Sequence, residues 1–286
     1  MHNLSLSYDQ ADHLRTLMSK RESVANPALP HVWTIVSGKG GVGKSVFAVG
    51  MAMTLAKSGR KVLLVDADEN LGKLDVLTGA APKYRINDIL LGKTSIDDAV
   101  YQSSRNVFMM CGNSGSFEYA EISASDRDYL YSGMVGSTHE FSDIIFDTAA
   151  GLRDDVLQYA SYANDIVLIS NSEPTAIMDA YAAVKIISRK VHGARFNLIM
   201  NNVHQPLESE EAAQKLQKAA EHFLKQEIVY IGFIPFDESV ADSVKAQIPL
   251  LKKYPISSSA LCIQAAAQRL LLEEAMEEPQ TSTVYV

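Results

Sequence analysis

His31 to Gly59 reads HVWTIVSGKGGVGKSVFAVGMAMTLAKSG, and this stretch decides the fold class. The β-branched and aromatic run from Val32 to Val36 predicts a buried strand. The strand breaks at Ser37-Gly38, and helix-forming residues then run from Lys44 through Lys57 to a closing glycine. The order is therefore strand, glycine-rich loop and helix.

The loop between strand and helix reads GKGGVGKS, which fits the phosphate-binding pattern G-x-x-x-x-G-K-[ST] in the context that the pattern requires. Glycines allow successive backbone N–H groups to turn inward around a phosphate chain, and the positive end of the following helix favours the same charge. A glycine-rich turn that binds nothing is the alternative. The predicted nucleotide contacts are Gly38, Gly40, Gly41, Val42, Gly43, Lys44, Ser45 and Val46, with Lys44 on the β- and γ-phosphates and Ser45 on Mg²⁺.

Length, composition and net charge restrict the number of domains and the kinds of partner. The chain has 286 residues, 47% of them hydrophobic, which is enough for one large α/β core. We expect a domain over residues 31–276, an N-terminal helix and tether over 1–30, and an acidic, polar tail over 277–286. The net charge of −8 argues against wide non-specific DNA binding, although it does not exclude a local basic patch.

Cysteine usage and hydropathy indicate a cytoplasmic protein. Cys111 and Cys262 form no CxxC pair, and the seven histidines lack metal-ligand spacing. No apolar run reaches the ~18 residues of a membrane span, and the N-terminus lacks a signal-peptide core.

The N-terminal segment predicts a short amphipathic helix from Tyr8 to Lys20. Ser7 fits its cap, Gln10 fits the capping-box partner, and apolar residues follow on one face. Pro27 and Pro30 then predict a tether before the first strand. A helix of this length needs a surface to cover its apolar face, which either a partner or its own domain would supply.

Two further strands end in carboxylates. Lys61 to Val65 predicts a strand that leads into Asp66-Ala67-Asp68, and Asp143 to Phe146 predicts another that leads into Asp147-Thr148-Ala149-Ala150-Gly151. The carboxyl ends of parallel strands are where open α/β sheets bind ligands. We therefore expect these aspartates to face the nucleotide.

The remaining pattern alternates strands and helices, which predicts a doubly wound α/β domain of about seven mainly parallel strands. Asn201, Pro235 and Asp237 follow predicted strands on the ligand edge, although turn chemistry also favours these residue types. The other predicted strands are Val107 to Cys111, Ile166 to Ser170, Phe196 to Met200 and Ile228 to Ile234, and the other predicted helices are Asp126 to Glu140, Ala176 to Val191 and Glu208 to Gln226.

A second lysine, Lys39, follows the first glycine of the loop, and this resembles the deviant Walker A motif of the MinD/ParA family of dimeric ATPases. The resemblance implies that Lys39 reaches the phosphates of a partner subunit and that the cofactors are ATP and Mg²⁺. It also implies roles for further residues: Asp68 orients the attacking water, Asp66 and Asp147 support Mg²⁺, Gly151 senses the γ-phosphate, and Asn201 with the Pro235 to Asp237 turn clasps the adenine.

Two residues depart from the family pattern after the first aspartates. Asn70 stands where the family has a glycine, and Lys73 stands where it has an asparagine. These departures concern the loop shape and the hydrolysis rate rather than nucleotide binding.

Two distant motifs narrow the resemblance. EPTAIMDAY, from Glu173 to Tyr181, is similar to the EPTxxxDAY signature of the flagellar number regulators of the FlhG (FleN) type. DQADHLR near the N-terminus is similar to their D-Q-A-x-x-L-R motif. The resemblance implies an ATP-dependent homodimer that contacts flagellar C-ring components and activates an FlhF-like GTPase through Asp9, Gln10, Ala11, Leu14 and Arg15.

The last predicted helix, Ser257 to Met276, has an apolar stripe that includes Leu261, Ala265 and Leu272. In the resembling families such a helix targets the inner face of the membrane. Here acidic residues end the helix and would be repelled by anionic headgroups, so core packing is the expectation.

The rival functions are a MinD- or ParA-type spatial-positioning ATPase and a nucleotide-binding adaptor with little hydrolysis. Proteins of the MinD and ParA type lack the N-terminal D-Q-A-x-x-L-R motif. Asn70 and Lys73 make the second plausible.

Overall fold

The computed structural model describes residues 29–69, 72–112 and 122–277. The predicted helix from Tyr8 to Lys20, with its partner motif, lies outside the described residues. Asn70 and the tail beyond Glu277 lie outside them as well.

The described part of the chain contains eight strands and eleven α-helices. They are β1 (His31–Val36), α1 (Lys44–Lys57), β2 (Val62–Ala67), α2 (Leu74–Thr78), α3 (Ile86–Leu90), α4 (Ile96–Ala99), β3 (Tyr101–Ser104), β4 (Val107–Met110), α5 (Ala124–Val135), β5 (Asp143–Thr148), α6 (Asp154–Tyr162), β6 (Asp165–Ser170), α7 (Pro174–Lys190), β7 (Phe196–Val203), α8 (Pro206–Ala219), a π-helical turn (Ala220–Leu224), β8 (Ile228–Pro235), α9 (Glu238–Lys245), α10 (Leu250–Lys253) and α11 (Ser258–Glu277).

The strands form one sheet in the order β3-β4-β2-β5-β1-β6-β7-β8. All neighbouring pairs are parallel except β3 and β4, which are antiparallel. The strand order reverses around β1, so its carboxyl end lies at the switch point where open α/β sheets bind ligands. The predicted doubly wound α/β fold is confirmed.

Both faces of the sheet are covered by helices, because side chains of successive strand residues point to opposite faces. Trp33 and Ile35 of β1 belong to the core that contains Phe47 of α1 and Ile263 of α11. Val36 belongs to the core on the other face, with apolar residues of α7 and α8.

The seven predicted strands are present, and β3 is an additional edge strand that the sequence pattern did not predict. Its sequence, YQSS, is short and mostly exposed, so it has no apolar period to detect. It pairs with β4 through a tight turn in which Asn106 adopts a left-handed φ of 62°.

Two predicted helices have wrong boundaries at both ends. Helix α5 begins at Ala124 rather than Asp126 because Ser123 caps it, and it ends at Val135, well before Glu140. The helix predicted from Glu208 to Gln226 begins at Pro206 and passes into the π-helical turn after Ala219.

Helix α11 packs on the core as expected, but through a different face from the predicted stripe. Ile263, Ala267 and Leu270 are buried, whereas Leu261 and Leu272 are 52% and 64% exposed. The helix alternates leucine and alanine on several faces, so the sequence did not reveal which one packs. None of the helices within the described ranges has the length and apolarity needed to cross a membrane.

Candidate functional site

Three motif-bearing strands lie side by side, in the order β2-β5-β1. Asp147 of β5 pairs in register with Asp66 of β2 on one side and with Ile35 of β1 on the other. The phosphate-binding loop and both carboxylate motifs therefore meet at one edge of the sheet, as predicted.

The glycine-rich loop is closed by hydrogen bonds within the site. The Lys44 ammonium donates to the Ser37 hydroxyl at 2.7 Å, and that hydroxyl donates to the Lys39 carbonyl at 2.8 Å. The backbone N–H of Gly151 donates to the Ser37 carbonyl at 3.0 Å. Gly151, which ends the motif that begins at Asp147, thus contacts the start of the glycine-rich loop. Val42 is buried and Val46 is partly buried against the core, which leaves their backbone N–H groups as the possible ligand contacts.

Gly43 precedes helix α1 in a left-handed conformation, with φ of 92°. The Asn201 amide donates to the Val42 carbonyl at 2.7 Å, directly against this glycine. A Cβ atom on Gly43 would lie 2.1 Å from the Asn201 amide nitrogen. The structure therefore brings the predicted adenine residue Asn201 against the phosphate-binding loop, where it supports the loop.

The EPTAIMDAY motif packs against the same loop. A Cβ atom on Gly38 would lie 2.4 Å from the backbone carbon of Asp179, so only glycine allows helix α7 to approach this closely. The Lys39 ammonium forms an ion pair with Glu173 at 2.5 Å, and this pair lowers the pKa of Glu173. Lys39 is therefore held by its own subunit in this structure.

The Asp147 carboxyl is fully buried beside Ser45. Burial, reinforced by the Asp66 charge, raises the pKa of Asp147 to about 7, although the Ser45 hydrogen bond and Lys44 favour its ionised form. Burial also raises the pKa of Asp66 to about 6. Burial lowers the pKa of Lys44, and the charges of Asp147 and Asp68 oppose that shift. These residues form a dense, desolvated cluster of ionisable groups.

A divalent cation fits this cluster. The Oδ1 atom of Asp147 is buried and has no hydrogen-bond partner among the described residues, so it can serve as a ligand or accept from a ligated water. The Ser45 hydroxyl lies against the same carboxyl. Within residues 29–69, 72–112 and 122–277 no group of three His, Cys, Asp or Glu side chains forms a metal cage. Mg²⁺ bound here would take most of its ligands from phosphates and water, which is its usual habit.

The chain after β2 folds back onto Asp66. One carboxylate oxygen of Asp66 accepts the backbone N–H groups of Lys73 and Leu74, at 2.7 and 3.1 Å. The Lys73 ammonium lies 3.5 Å from the Asp68 carboxylate and is 59% exposed on its side chain. Lys73 thus places a positive charge beside the predicted water-orienting carboxylate.

The Asp237 carboxylate connects the starts of helices α9 and α11. It caps helix α9 by accepting the Ser239 N–H, and its other oxygen accepts from Ser258 and from the Ser259 N–H at the start of α11. Burial disfavours its charge, but these donors outweigh burial and hold its pKa well below the usual range. Pro235 ends β8, and its carbonyl accepts from the Ser259 hydroxyl at 2.8 Å.

A further group of residues near Asp68 was not predicted. Glu69 accepts two hydrogen bonds from Arg127 of α5 and one from Tyr159 of α6. Arg127 lies 58 residues from Glu69 along the chain. No local pattern joins the two, and the position of Glu69 next to Asp68 was the one available signal.

The opposite edge of the sheet carries a separate ionic network. Arg60 forms two hydrogen bonds with the buried Asp143, at 2.6 and 2.8 Å, and one with Glu274 of α11. A cavity of about 160 Å³ lies at this edge beside Asp165 and Arg195. Both features lie at the amino ends of the strands, away from the phosphate-binding loop.

Comparison with known proteins agrees with this site. The model of the CobQ/CobB/MinD/ParA nucleotide binding domain matches residues 33–250, which include all three motifs. The chain belongs to the CobQ/CobB/MinD/ParA family. Its MinD/ParA relatives include the antiactivator FleN of Pseudomonas aeruginosa, which is 34% identical over 243 residues that cover 84% of this chain and 85% of FleN. The flagellum site-determining protein YlxH of Helicobacter pylori is 30% identical over 78% of this chain and 76% of its own length. The predicted resemblance to FlhG/FleN-type MinD/ParA proteins is confirmed.

Solved MinD/ParA structures share the fold. The cell division ATPase MinD of Pyrococcus furiosus superposes with a TM-score of 0.74 at 22% identity, covering 86% of this chain and 100% of that chain. The septum site-determining protein MinD of Pyrococcus horikoshii, solved with Mg-ADP, gives the same TM-score at 21% identity and covers 88% of this chain and 100% of that chain.

Proposed function

We propose that this protein is an ATP-hydrolysing dimerisation switch that regulates the number and placement of flagella. The observation that carries the proposal is the convergence of Lys44, Ser45 and Asp147 at the carboxyl edge of three adjacent strands. Flagellar control is proposed because the relative YlxH is named as a flagellum site-determining protein and matches 78% of this chain. The EPTAIMDAY and DQADHLR motifs, which resemble those of FlhG-type regulators, support the same proposal.

The residues divide the work of phosphoryl transfer, which needs positioning and charge stabilisation rather than covalent catalysis. The loop N–H groups and Lys44 bind the phosphates. Ser45 and Asp147, with Asp66 behind them, would hold Mg²⁺, which would supply positive charge to neutralise the phosphates. Asp68 orients the attacking water.

Lys39 supplies the link between nucleotide and dimerisation. In the described subunit it is paired with Glu173 on the surface, close to the phosphate-binding loop. The pair is exposed and so contributes little stability, which allows Lys39 to exchange Glu173 for a partner's phosphates. We expect ATP to favour the dimer because its terminal phosphate offers Lys39 this second anion.

Light scattering of variants tests the switch. Asp68→Ala is expected to retain ATP binding and accumulate as an ATP-bound dimer, because the phosphate cradle is intact while water orientation is lost. Lys39→Ala is expected to bind ATP and stay monomeric. Lys93→Ala is a matched control, because Lys93 also pairs with an acidic residue at the surface but lies outside the site. A normal ATP-dependent dimer from Lys39→Ala would refute the role across the interface.

The N-terminal motif is proposed to activate an FlhF-like GTPase in trans. Gln10 supplies an amide that can orient water or phosphate, and Arg15 supplies a cation on the adjoining row of the predicted helix. A peptide of residues 1–25 is expected to stimulate the GTPase, and Gln10→Ala is expected to remove most of that stimulation while the full chain keeps its ATP hydrolysis. Loss of thermal stability on truncation, with partner stimulation unchanged, would instead favour a helix docked on its own domain. Contacts with C-ring components belong to the same proposal and are tested by co-purification of the ATP-bound dimer.

A nucleotide-binding adaptor with little hydrolysis is the second candidate. The Lys73 charge 3.5 Å from Asp68 favours it, because that charge competes with water for the carboxylate. Steady-state turnover with Mg·ATP separates the two. Turnover no higher than that of Lys44→Ala, in the presence of lipid and partner, would favour the adaptor.

A further inference from the structure

Glu69, the residue after Asp68, is anchored by a two-point ion pair. The Arg127 Nε and Nη2 atoms lie 2.6 and 2.7 Å from the two carboxylate oxygens of Glu69. The side chains of Arg127 and Glu69 are 11% and 10% exposed. A bidentate pair of this kind fixes both the position and the orientation of the carboxylate.

Helices α5 and α6 both hold this pair in place. Arg127 also donates to the Gln158 side chain at 3.1 Å and to the Ile122 carbonyl at 2.8 Å. The Tyr159 hydroxyl donates to Glu69 at 3.2 Å. We call Glu69, Arg127 and Tyr159 the Glu69 clamp.

The clamp connects the aspartate motif of β2 to the rest of the site. Helix α6 follows the loop that contains Gly151, and the Tyr159 carbonyl accepts the Thr34 hydroxyl of β1 at 2.9 Å. The strand that carries the phosphate-binding loop and the residue after Asp68 are therefore joined through one tyrosine.

Asp68 lies between two fixed residues. On its N-terminal side, Ala67 pairs in register with Thr148 of β5. On its C-terminal side, Glu69 is held by the clamp, and adjacent Cα atoms are about 3.8 Å apart. The backbone of Asp68 is thus confined at both ends, whereas the carboxylate itself contacts the exposed Lys73.

The contribution of the clamp is geometric. A buried ion pair offers little net stability over apolar side chains of the same volume, because both charges lose their hydration. A bidentate pair does, however, fix a backbone segment more narrowly than apolar packing would.

We propose that Arg127 is a positioning residue for ATP hydrolysis, which acts through Glu69 to hold Asp68 at the phosphate edge of the site. This inference rests on the proposed function, in which Asp68 orients the attacking water. Arg127 itself contacts neither nucleotide nor water in this scheme.

Steady-state kinetics of Arg127→Gln tests the proposal. A displacement of about 1 Å in an orienting group lowers a rate by up to roughly 100-fold, so we expect kcat to fall by about 10- to 100-fold. KM for ATP is expected to stay within about twofold, because the phosphate-binding loop is unchanged. Arg127→Lys is expected to give an intermediate kcat, since an ammonium keeps the charge but cannot form the two-point pair.

Three further variants separate positioning from folding. Tyr159→Phe removes one hydroxyl and keeps the ring, and it is expected to lower kcat less than Arg127→Gln. Combining Glu69→Gln with Arg127→Gln is expected to lower kcat little further than either alone, because both changes break one pair. Arg60→Gln is the matched control: it breaks a bidentate pair with a buried carboxylate at the opposite edge of the sheet, so it is expected to lower Tm and leave kcat unchanged.

Hydrogen exchange of nucleotide-free protein gives a readout that does not depend on turnover. Backbone amides of the segment 64–69 are expected to exchange faster in Arg127→Gln and to stay unchanged in Arg60→Gln. Failure of the proposed function would appear as wild-type turnover equal to that of Lys44→Ala. Two results would overturn the positioning role of Arg127. One is an active wild type together with an Arg127→Gln variant of the same kcat, and the other is unchanged hydrogen exchange of segment 64–69 in Arg127→Gln.

Discussion

Replacing Gly43 with alanine tests the fit between the phosphate-binding loop and Asn201. The change adds one methyl group at a residue whose φ is 92°. The new Cβ atom would lie 2.1 Å from the Asn201 amide nitrogen, so the amide must move. Moving it removes the 2.7 Å hydrogen bond to the Val42 carbonyl.

The expected loss of stability has two parts. Holding alanine in a left-handed conformation costs about 1–2 kcal/mol. Loss of the Asn201 hydrogen bond adds about 1 kcal/mol, which brings the change in the free energy of unfolding to about 2–3 kcal/mol. For a chain of roughly this size each kcal/mol shifts Tm by about 2–4 °C, so the expected fall is on the order of 4–12 °C.

Thermal unfolding without nucleotide measures this loss. Gly41→Ala is the matched control, because Gly41 also has a positive φ, of 78°, but a Cβ atom added there would have no atom within 4 Å outside its chain neighbours. It is expected to show the conformational cost only. The double variant Asn201→Ala/Gly43→Ala removes the clash and is expected to be less destabilised than the sum of its single changes. Equal losses for Gly41→Ala and Gly43→Ala, or full additivity in the double variant, would refute the reasoning.

Asp237 gives a prediction for acid stability. The folded-state pKa of Asp237 is depressed, so the stability that its ionised carboxylate contributes is present above the unfolded pKa of about 3.9 and is lost as the pH falls below that value. Asp237→Asn is therefore expected to lose less stability than the wild type between about pH 5 and pH 2 in acid unfolding. The exposed Asp154→Asn is the control. Parallel acid profiles for wild type and Asp237→Asn would contradict this. Lys73→Asn is expected to weaken ATP binding more at low than at high salt, because an exposed charge near the phosphates is screened by ions, whereas Lys93→Asn is expected to leave binding unchanged at both. Equal effects of Lys73→Asn at both ionic strengths would place its charge away from the phosphates.

The sequence predicted those parts of the fold that depend on local patterns. Buried parallel strands read as continuous apolar runs, and each motif follows directly from such a run. The loop, Asp66 and Asp147 could therefore be placed at one edge of the sheet from the sequence alone. The same pattern could not predict β3, because its four residues are polar or half-buried and it is the outermost strand of the sheet.

Contacts between distant residues were beyond the reach of the sequence. Glu173 was identified as part of a motif, but its ion pair with Lys39 depends on the packing of Gly38 against α7. Arg127 belongs to no sequence motif, and its contact with Glu69 exists only because α5 packs beside Glu69 in the fold. The exposed leucines of α11 show the same limit, because several faces of that helix are apolar and tertiary packing selects one.

Mixing two inactive variants tests the ATP-dependent dimerisation switch most directly. Lys39→Ala keeps Asp68 and the phosphate-binding loop but cannot reach across the interface, whereas Asp68→Ala keeps Lys39 but cannot orient water. A mixed dimer joins the intact site of the first to the Lys39 of the second. We predict that each variant alone hydrolyses ATP no faster than Lys44→Ala and that an equal mixture regains a fraction of the wild-type turnover. A mixture that stays inactive while the wild type turns over, or a Lys39→Ala protein that hydrolyses ATP normally by itself, would contradict the account.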